Sequence, residues 1–320
     1  MDPIYSGKQP MQVVAFGSGS CTTIQELLRA EKRSRRMNGG IPEFELRAFF
    51  TDKKKGAANL ERILEGQGID PRERPIIRLN PKEVRKETGT EFGTDEDKIA
   101  YDAKAVQVLK EHAASHRFSI DLIALAGYMR LIRKPLLDTW GGRIINSHPA
   151  RLAQLNGQGD RLYTGDDAVY DAIMAGEIST ASSIHVVTEG VDAGPILITS
   201  APLDIDVEYR HLVLDSCDVI DKLVATTRLR NHYDRQQVPQ EARDWFDTTG
   251  GPEVALRSLM MHHFADQHQE LQKRVCDYPA YIAALTMIAR GELAVADNKV
   301  YLISPPAIQF MELPYGGIQL

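Results

Sequence analysis

The sequence is short of several things, and each shortage narrows what the protein does. It has three cysteines in 320 residues, Cys21, Cys217 and Cys276. They are odd in number, far apart and without the close spacing of a zinc site, which suits reduced thiols and gives no metal centre. Basic residues do not dominate: 38 Lys and Arg face 44 Asp and Glu, for a net charge of -6. With a pI near 5.9 there is no general attraction to nucleic acid or to an anionic membrane, and neither is expected as a partner. Long apolar runs are missing too. The most apolar stretch, Leu122 to Tyr128, falls far short of the roughly 20 residues that span a bilayer. Met1 to Gln9 lack the basic-then-apolar pattern of a secretory signal, so a cytoplasmic location is the expectation. Internal repeats and low-complexity tracts are not found.

What is present is an ordinary globular composition, 43% hydrophobic and 26% charged, in a chain long enough for one large domain or two ordinary ones. Gln12 to Phe16 read as a strand, followed by the glycine-rich turn Gly17-Ser18-Gly19-Ser20-Cys21-Thr22-Thr23 and a helix with Ile24, Leu27 and Leu28 on one face. Such a turn offers backbone N–H groups and a helix N-terminus to an anion, or is simply a tight capped turn. Phe44 to Phe50, Ile76 to Leu79, Leu122 to Ala126 and Arg143 to Ser147 read as further strands, with helices at Ala57 to Leu64 and Ile99 to His112. Asn80 to Lys98, charged and poor in apolar residues, reads as a surface connection. Strand alternating with helix implies βαβ units and a parallel sheet. Beyond Pro149 the pattern changes to a mobile loop over Arg151 to Thr164, a helix over Asp166 to Ala175, and strands at Ser182 to Val187 and Ile196 to Thr199. Val207 to Gln269 reads as a polar helical insertion, then a helix from Leu271 to Arg290 interrupted at Pro279, and a hairpin over Leu293 to Ile303. His262, His263 and His268 do not share a helix face, so no metal site is expected from them.

Two places carry chemistry. Ile144-Ile145-Asn146-Ser147-His148-Pro149 brings an amide and an imidazole to the C-terminal end of a buried strand, where open parallel sheets bind ligands. Thr188 to Pro195 form a tight loop around Asp192. Each alone also reads as a local turn or cap.

Together with Ala126-Gly127-Tyr128-Met129-Arg130-Leu131-Ile132, and with Ser182 to Leu197 taken whole, these pieces stand in the order and approximate spacing of a known family. From about Gln12 to Pro202, and faintly again at Asp277-Tyr278-Pro279, the chain resembles the folate-dependent formyltransferases, and among them most the glycinamide ribonucleotide formyltransferases of purine synthesis. The resemblance implies an α/β fold, a Rossmann-like mostly parallel open sheet with helices on both faces, extended by a helical insertion and a C-terminal helix plus hairpin. It implies a catalytic domain over 11–206, the insertion over 207–269 and the terminal unit over 270–320. Asn146, His148 and Asp192 would then be catalytic. An amide and an imidazole N–H stabilise the oxyanion formed when an amine attacks a formyl carbonyl, and a carboxylate orients the imidazole and relays the proton. The cosubstrate implied is 10-formyltetrahydrofolate, held by Met129, Arg130, Leu131 and Ile132 and by Glu189, Gly190 and Val191. The acceptor implied is a small-molecule amine, a phosphorylated one among the candidates, near Gly19, Ser20, Cys21, Thr22, Thr23 and His185.

The acceptor half departs from the family. Its first loop usually reads Gly-Asn-Gly-Ser-Asn, and Cys21 here falls where glycine is usual, so a glycine-only backbone conformation carries a cost. Arg274 stands where an acidic residue is expected before Tyr278-Pro279, and the connection from His148 to Asp192 is long. A 10-formyltetrahydrofolate hydrolase, a sugar-nucleotide N-formyltransferase and, in another class, a non-catalytic folate-binding protein remain alternatives. The sequence is also compatible with a homodimer.

Overall fold

A computed structural model describes residues 2–8, 10–208, 251–304, 309–312 and 318–319. Its centre is an eight-stranded sheet. The first half alternates as expected: β1 (Met11–Phe16), α1 (Thr22–Met37), β2 (Phe44–Thr51), α2 (Lys54–Gln67), β3 (Ile76–Arg78), α3 (Pro81–Thr88), α4 (Asp95–Ser115), β4 (Leu122–Leu125), α5 (Lys134–Trp140) and β5 (Ile144–His148). Then follow α6 (Ala168–Met174), β6 (Ser179–Thr180), β7 (Ser183–Val186), β8 (Ile196–Thr199) and β9 (Leu203–Asp204). The C-terminal part holds α7 (Gly251–Gln272), a π-helical turn (Lys273–Asp277), α8 (Tyr278–Ala289), and strands β10 (Leu293–Ala296), β11 (Lys299–Ser304), β12 (Gln309–Glu312) and β13 (Ile318–Gln319). Of the helical insertion expected over 207–269, residues 209–250 lie outside the described residues.

The sheet runs β13-β8-β7-β5-β4-β1-β2-β3. Strands β3, β2, β1, β4 and β5 pair in parallel, whereas β7 is antiparallel to both β5 and β8. Central strands are apolar on both faces because both are covered. Alternation sorts them: Val13 and Ala15 pack with α1, α2 and α8, while Val14 and Phe16 pack with α4 and α5. Two short helices depart from the sequence expectation. The stretch expected as a surface connection contains α3 and the first turn of α4; α3 buries only Val84, so it has no apolar stripe to betray it. Its signals are local: Asn80 accepts the Lys82 N–H at 3.0 Å, Pro81 opens the helix and Gly89 closes it in the left-handed conformation. The other is α5, seven residues folded between two strands.

At the C-terminus, the helix runs on from α7 through the π-turn into α8, and the interruption expected at Pro279 takes the form of that π-turn directly before it. Proline has no N–H and its ring crowds the carbonyl four residues back. The preceding π-turn absorbs this, and Tyr278 N–H bonds to Lys273 O, five residues earlier. The helix α8 packs on the sheet, where the buried Tyr281 hydroxyl lies 3.0 Å from Leu125 O of β4 and 3.2 Å from Ile145 O of β5. The expected hairpin is present as β10 and β11, and β12 extends it to three strands.

Candidate active site

The register of β5 with β7 builds the centre. Asn146 lies opposite His185 and His148 opposite Ser183. Asn146 and His148 are the third and fifth residues of β5, inside the strand at its C-terminal end. His148 and His185 are 4% and 2% exposed, and Asn146 is half-buried. The loop between β7 and β8 returns Asp192 against them. Its carboxylate stands between two imidazoles, Oδ2 at 3.3 Å from His148 Nδ1 and Oδ1 at 3.4 Å from His185 Nε2, and Oδ2 also accepts the Gly165 N–H at 3.1 Å. Arg161 donates to the Asp192 carbonyl. Asn146 Nδ2 lies 3.4 Å from His185 Nε2.

A carbonyl oxygen only accepts, which assigns hydrogens on both rings. His148 Nε2 donates to Tyr163 O at 2.7 Å and His185 Nδ1 donates to Val186 O at 3.0 Å. In neutral His148 the nitrogen facing Asp192 is then a lone pair. Burial lowers the His148 pKa, against the opposing pull of Asp192 and Tyr163. Burial would raise Asp192, but the facing His185 imidazole, the charge of a protonated His148 and the Gly165 N–H outweigh it and bring its carboxyl down to about 2. The centre is therefore an ionised carboxylate beside an imidazole able to take a proton onto Nδ1. Tyr163 O is a partner that sequence reasoning did not find; a backbone carbonyl in the loop over Arg151 to Thr164 has no side-chain signature.

The loop carrying Asp192 tolerates no side chain at Gly194. A Cβ there would lie 1.7 Å from Val186 O. Gly194→Ala therefore displaces the loop, and a displacement of about 1 Å at Asp192 is expected to cost about 10²-fold in turnover. Steady-state kinetics on the variant beside its thermal melt checks this.

The centre opens into a cleft of about 500 Å³. Every position named from the sequence lines it: Met129, Arg130, Leu131, Ile132, Glu189, Gly190 and Val191, then Gly19, Ser20, Cys21, Thr22 and Thr23, and Asn146, His148, His185 and Asp192. Ser18 joins the first two of these groups, its N–H donating to Gly127 O at 3.1 Å and its Oγ accepting the Met129 N–H at 3.3 Å. Cys21 does adopt the left-handed backbone, at φ 58°. Its thiol turns inward to Gly19 O and Gly56 O, and burial pushes its pKa up to about 11, so it is neither nucleophile nor ready donor to the cleft.

Arg274 stands where an acidic residue is expected, and Asp277, three residues later, lines the cleft. Arg274 is exposed, whereas Gln269, Lys273 and Asp277 line the cleft. Asp277 is 8% exposed and accepts the Ser182 hydroxyl; burial raises its pKa against that bond. The histidines of α7 serve packing: His268 Nε2 is 2.8 Å from Thr180 Oγ1, and His262 stacks on Tyr170 at 3.9 Å.

A doubly wound sheet with polar side chains gathered at the carboxyl ends of its strands is an α/β enzyme-type architecture. Residues 11–211 match the formyl transferase family, and the chain belongs to it. It is 40% identical over 111 residues to the phosphoribosylglycinamide formyltransferase of Bacillus subtilis (strain 168), a match covering 35% of this chain and 49% of that one. The chain thus spans about half the length of this curated relative. Among solved structures, the phosphoribosylglycinamide formyltransferase of Coxiella burnetii superposes with a TM-score of 0.55 at 20% identity, over 97% of this chain and 99% of that one. A formyltetrahydrofolate deformylase from Pseudomonas syringae pv. tomato str. DC3000 superposes with a TM-score of 0.53 at 16% identity, over 93% and 67%. At these identities the two structures share the fold. Among the described residues no helix is long and apolar enough to cross a membrane.

Proposed function

We propose that this chain transfers a formyl group from 10-formyltetrahydrofolate to the amine of a small phosphorylated molecule, glycinamide ribonucleotide being the acceptor to test first. The observation that carries the reading is the Asp192 carboxylate set between two imidazoles beside Asn146, at the end of a cleft whose two walls are chemically unlike. The donor wall suits a flat, hydrogen-bonding ring system. Met129, Leu131 and Val191 are 60%, 45% and 50% exposed and offer apolar contact, while the backbone between them offers donors and acceptors. The acceptor wall combines the N-terminus of α1, the hydroxyls of Ser20, Thr22 and Thr23, and the charges of Lys53, Lys273 and Asp277.

In this reading Asn146 donates to the oxyanion that develops on the formyl oxygen. His148 adds its Nε2–H by exchanging Tyr163 O for that oxygen. The proton shed by the attacking amine passes by way of water at Asp192 to His148 Nδ1, where the resulting imidazolium faces the carboxylate that stabilises it, and is returned to the departing nitrogen. The same reading assigns catalysis to 11–206, an insertion to 207–269, and completion of the acceptor wall to 270–320.

The test is an acceptor screen with 10-formyltetrahydrofolate, including a reaction with no amine. Formylated glycinamide ribonucleotide together with tetrahydrofolate supports the proposal. Formate released without any amine identifies a hydrolase instead. Absence of both products across the panel overturns the enzyme reading.

A further inference from the structure

Behind the donor wall lies a buried carboxylate that the reaction does not use. Asp102, in the middle of α4, is 1% exposed, and acidic side chains are almost never so buried unless they are paired. Its Oδ2 accepts the Arg133 N–H at 2.6 Å, at the point where the chain leaves the wall and enters α5. Burial raises its carboxyl to about 7 against that bond and the charges of Arg130 and Arg133. The neighbouring Tyr101 is fully buried and holds the Arg130 guanidinium over its ring, 4.0 Å from the centroid. Its hydroxyl donates to Leu79 O at 3.0 Å, which anchors the ring itself. Earlier on the same helix, Asp95 holds the Arg133 side chain at 3.2 Å. Helix α4 therefore grips Arg130 and Arg133, the two residues that bracket Leu131 and Ile132.

We propose that Asp102, backed by Tyr101, is a positioning residue for the donor wall: it fixes the backbone from Gly127 to Arg133 in the form that receives the folate, and acts on donor binding more than on the chemical step. This rests on reading the cleft as a formyl-donor site. The geometry supports it because the wall's exposed apolar side chains, Met129 and Leu131, cannot hold their own backbone: Ser18 ties its start at Gly127 and Met129, and α4 ties its end at Arg130 and Arg133.

The test compares Asp102→Ala and Asp102→Asn with the unaltered protein in two ways: KM and kcat with 10-formyltetrahydrofolate, and hydrogen exchange of peptides covering 127–133 and 11–16. Leaving the Arg133 N–H without its acceptor is expected to raise the donor KM about tenfold in Asp102→Ala, with kcat changed by less than about threefold. Exchange should quicken over 127–133 and stay unchanged over 11–16. Asp102→Asn keeps an acceptor oxygen and should fall between, and it carries the comparison if the alanine variant does not fold. Unchanged KM and exchange would overturn the proposal, as would faster exchange across both segments with kcat falling alongside. Should the unaltered protein neither turn over nor bind tetrahydrofolate, the donor-site reading fails, while the exchange comparison still decides whether Asp102 holds this loop.

Discussion

Asp192→Asn lowers turnover about 10³-fold while the protein stays folded. Asparagine has the size of aspartate and tolerates the left-handed backbone found here, φ 48°, so the loop keeps its path. What goes is the charge. The carboxyl, down at about 2, is ionised throughout the working range, and it is the one group placed to stabilise a proton on His148 Nδ1. Its removal also shifts the pH profile in a defined direction. Asp192 raises the His148 pKa, so the acid limb of kcat/KM moves to lower pH in the variant. Stability follows from the same shift. A carboxyl lowered from 3.8 to about 2 on folding contributes about 2 kcal/mol above its unfolded pKa, lost as pH falls through the folded one. Denaturant melts should therefore show the native protein ahead at pH 5, with the gap closing towards pH 2. Equal turnover of the two proteins at their optima would remove Asp192 from the mechanism.

The parts of this site that could be read from the sequence are those written in side chains on regular strands. Asn146 and His148 announced themselves because an apolar run ends in two polar residues before Pro149, and the strands of the sheet are apolar enough on both faces to be read as strands. What escaped lies where the determinant is not a side-chain pattern. Helix α3 is held by caps and buries a single apolar residue, so periodicity could not reveal it. The capture of His148 Nε2 is made by the Tyr163 carbonyl, which any residue at that position could supply. Asp277 could be read only as part of Asp277-Tyr278-Pro279; that it reaches the cleft depends on tertiary packing that no local pattern encodes. Cys21 shows the opposite case: the conflict with a glycine conformation was legible, and the structure meets it with a cysteine held at φ 58° and its thiol turned away from the cleft. The part of the cleft lined by α7, the π-turn and the Ser18 to Thr23 loop joins elements far apart in the chain, and no local pattern encodes that meeting.

His148→Ala should lower kcat by about 10²- to 10³-fold with a much smaller change in the donor KM. The imidazole does two things that alanine cannot: it presents an N–H at Nε2 and accepts a proton at Nδ1. In the proposed reading the donor contacts lie elsewhere, on Met129 to Ile132 and on the loop from Glu189 to Val191, which line the same cleft, and this separates the kcat effect from binding. Removing the ring also leaves Tyr163 O without the donor it has at 2.7 Å and takes the charge partner from Asp192 Oδ2. A structural cost of about 1–3 kcal/mol is expected alongside, as for a buried acceptor left unpaired. Two measurements keep the chemical role apart from that cost. In the native protein kcat/KM falls as pH drops and His148, its pKa lowered by burial, becomes protonated; in the alanine variant that limb disappears instead of moving. Added imidazole, small enough for the space left by the ring, should restore part of the rate, with the restored rate following the fraction of neutral imidazole. A variant with near-native turnover and an unchanged acid limb would show that the proton goes elsewhere, and His185, hydrogen-bonded through Nδ1 and facing the other oxygen of the same carboxylate, would then be the base to test.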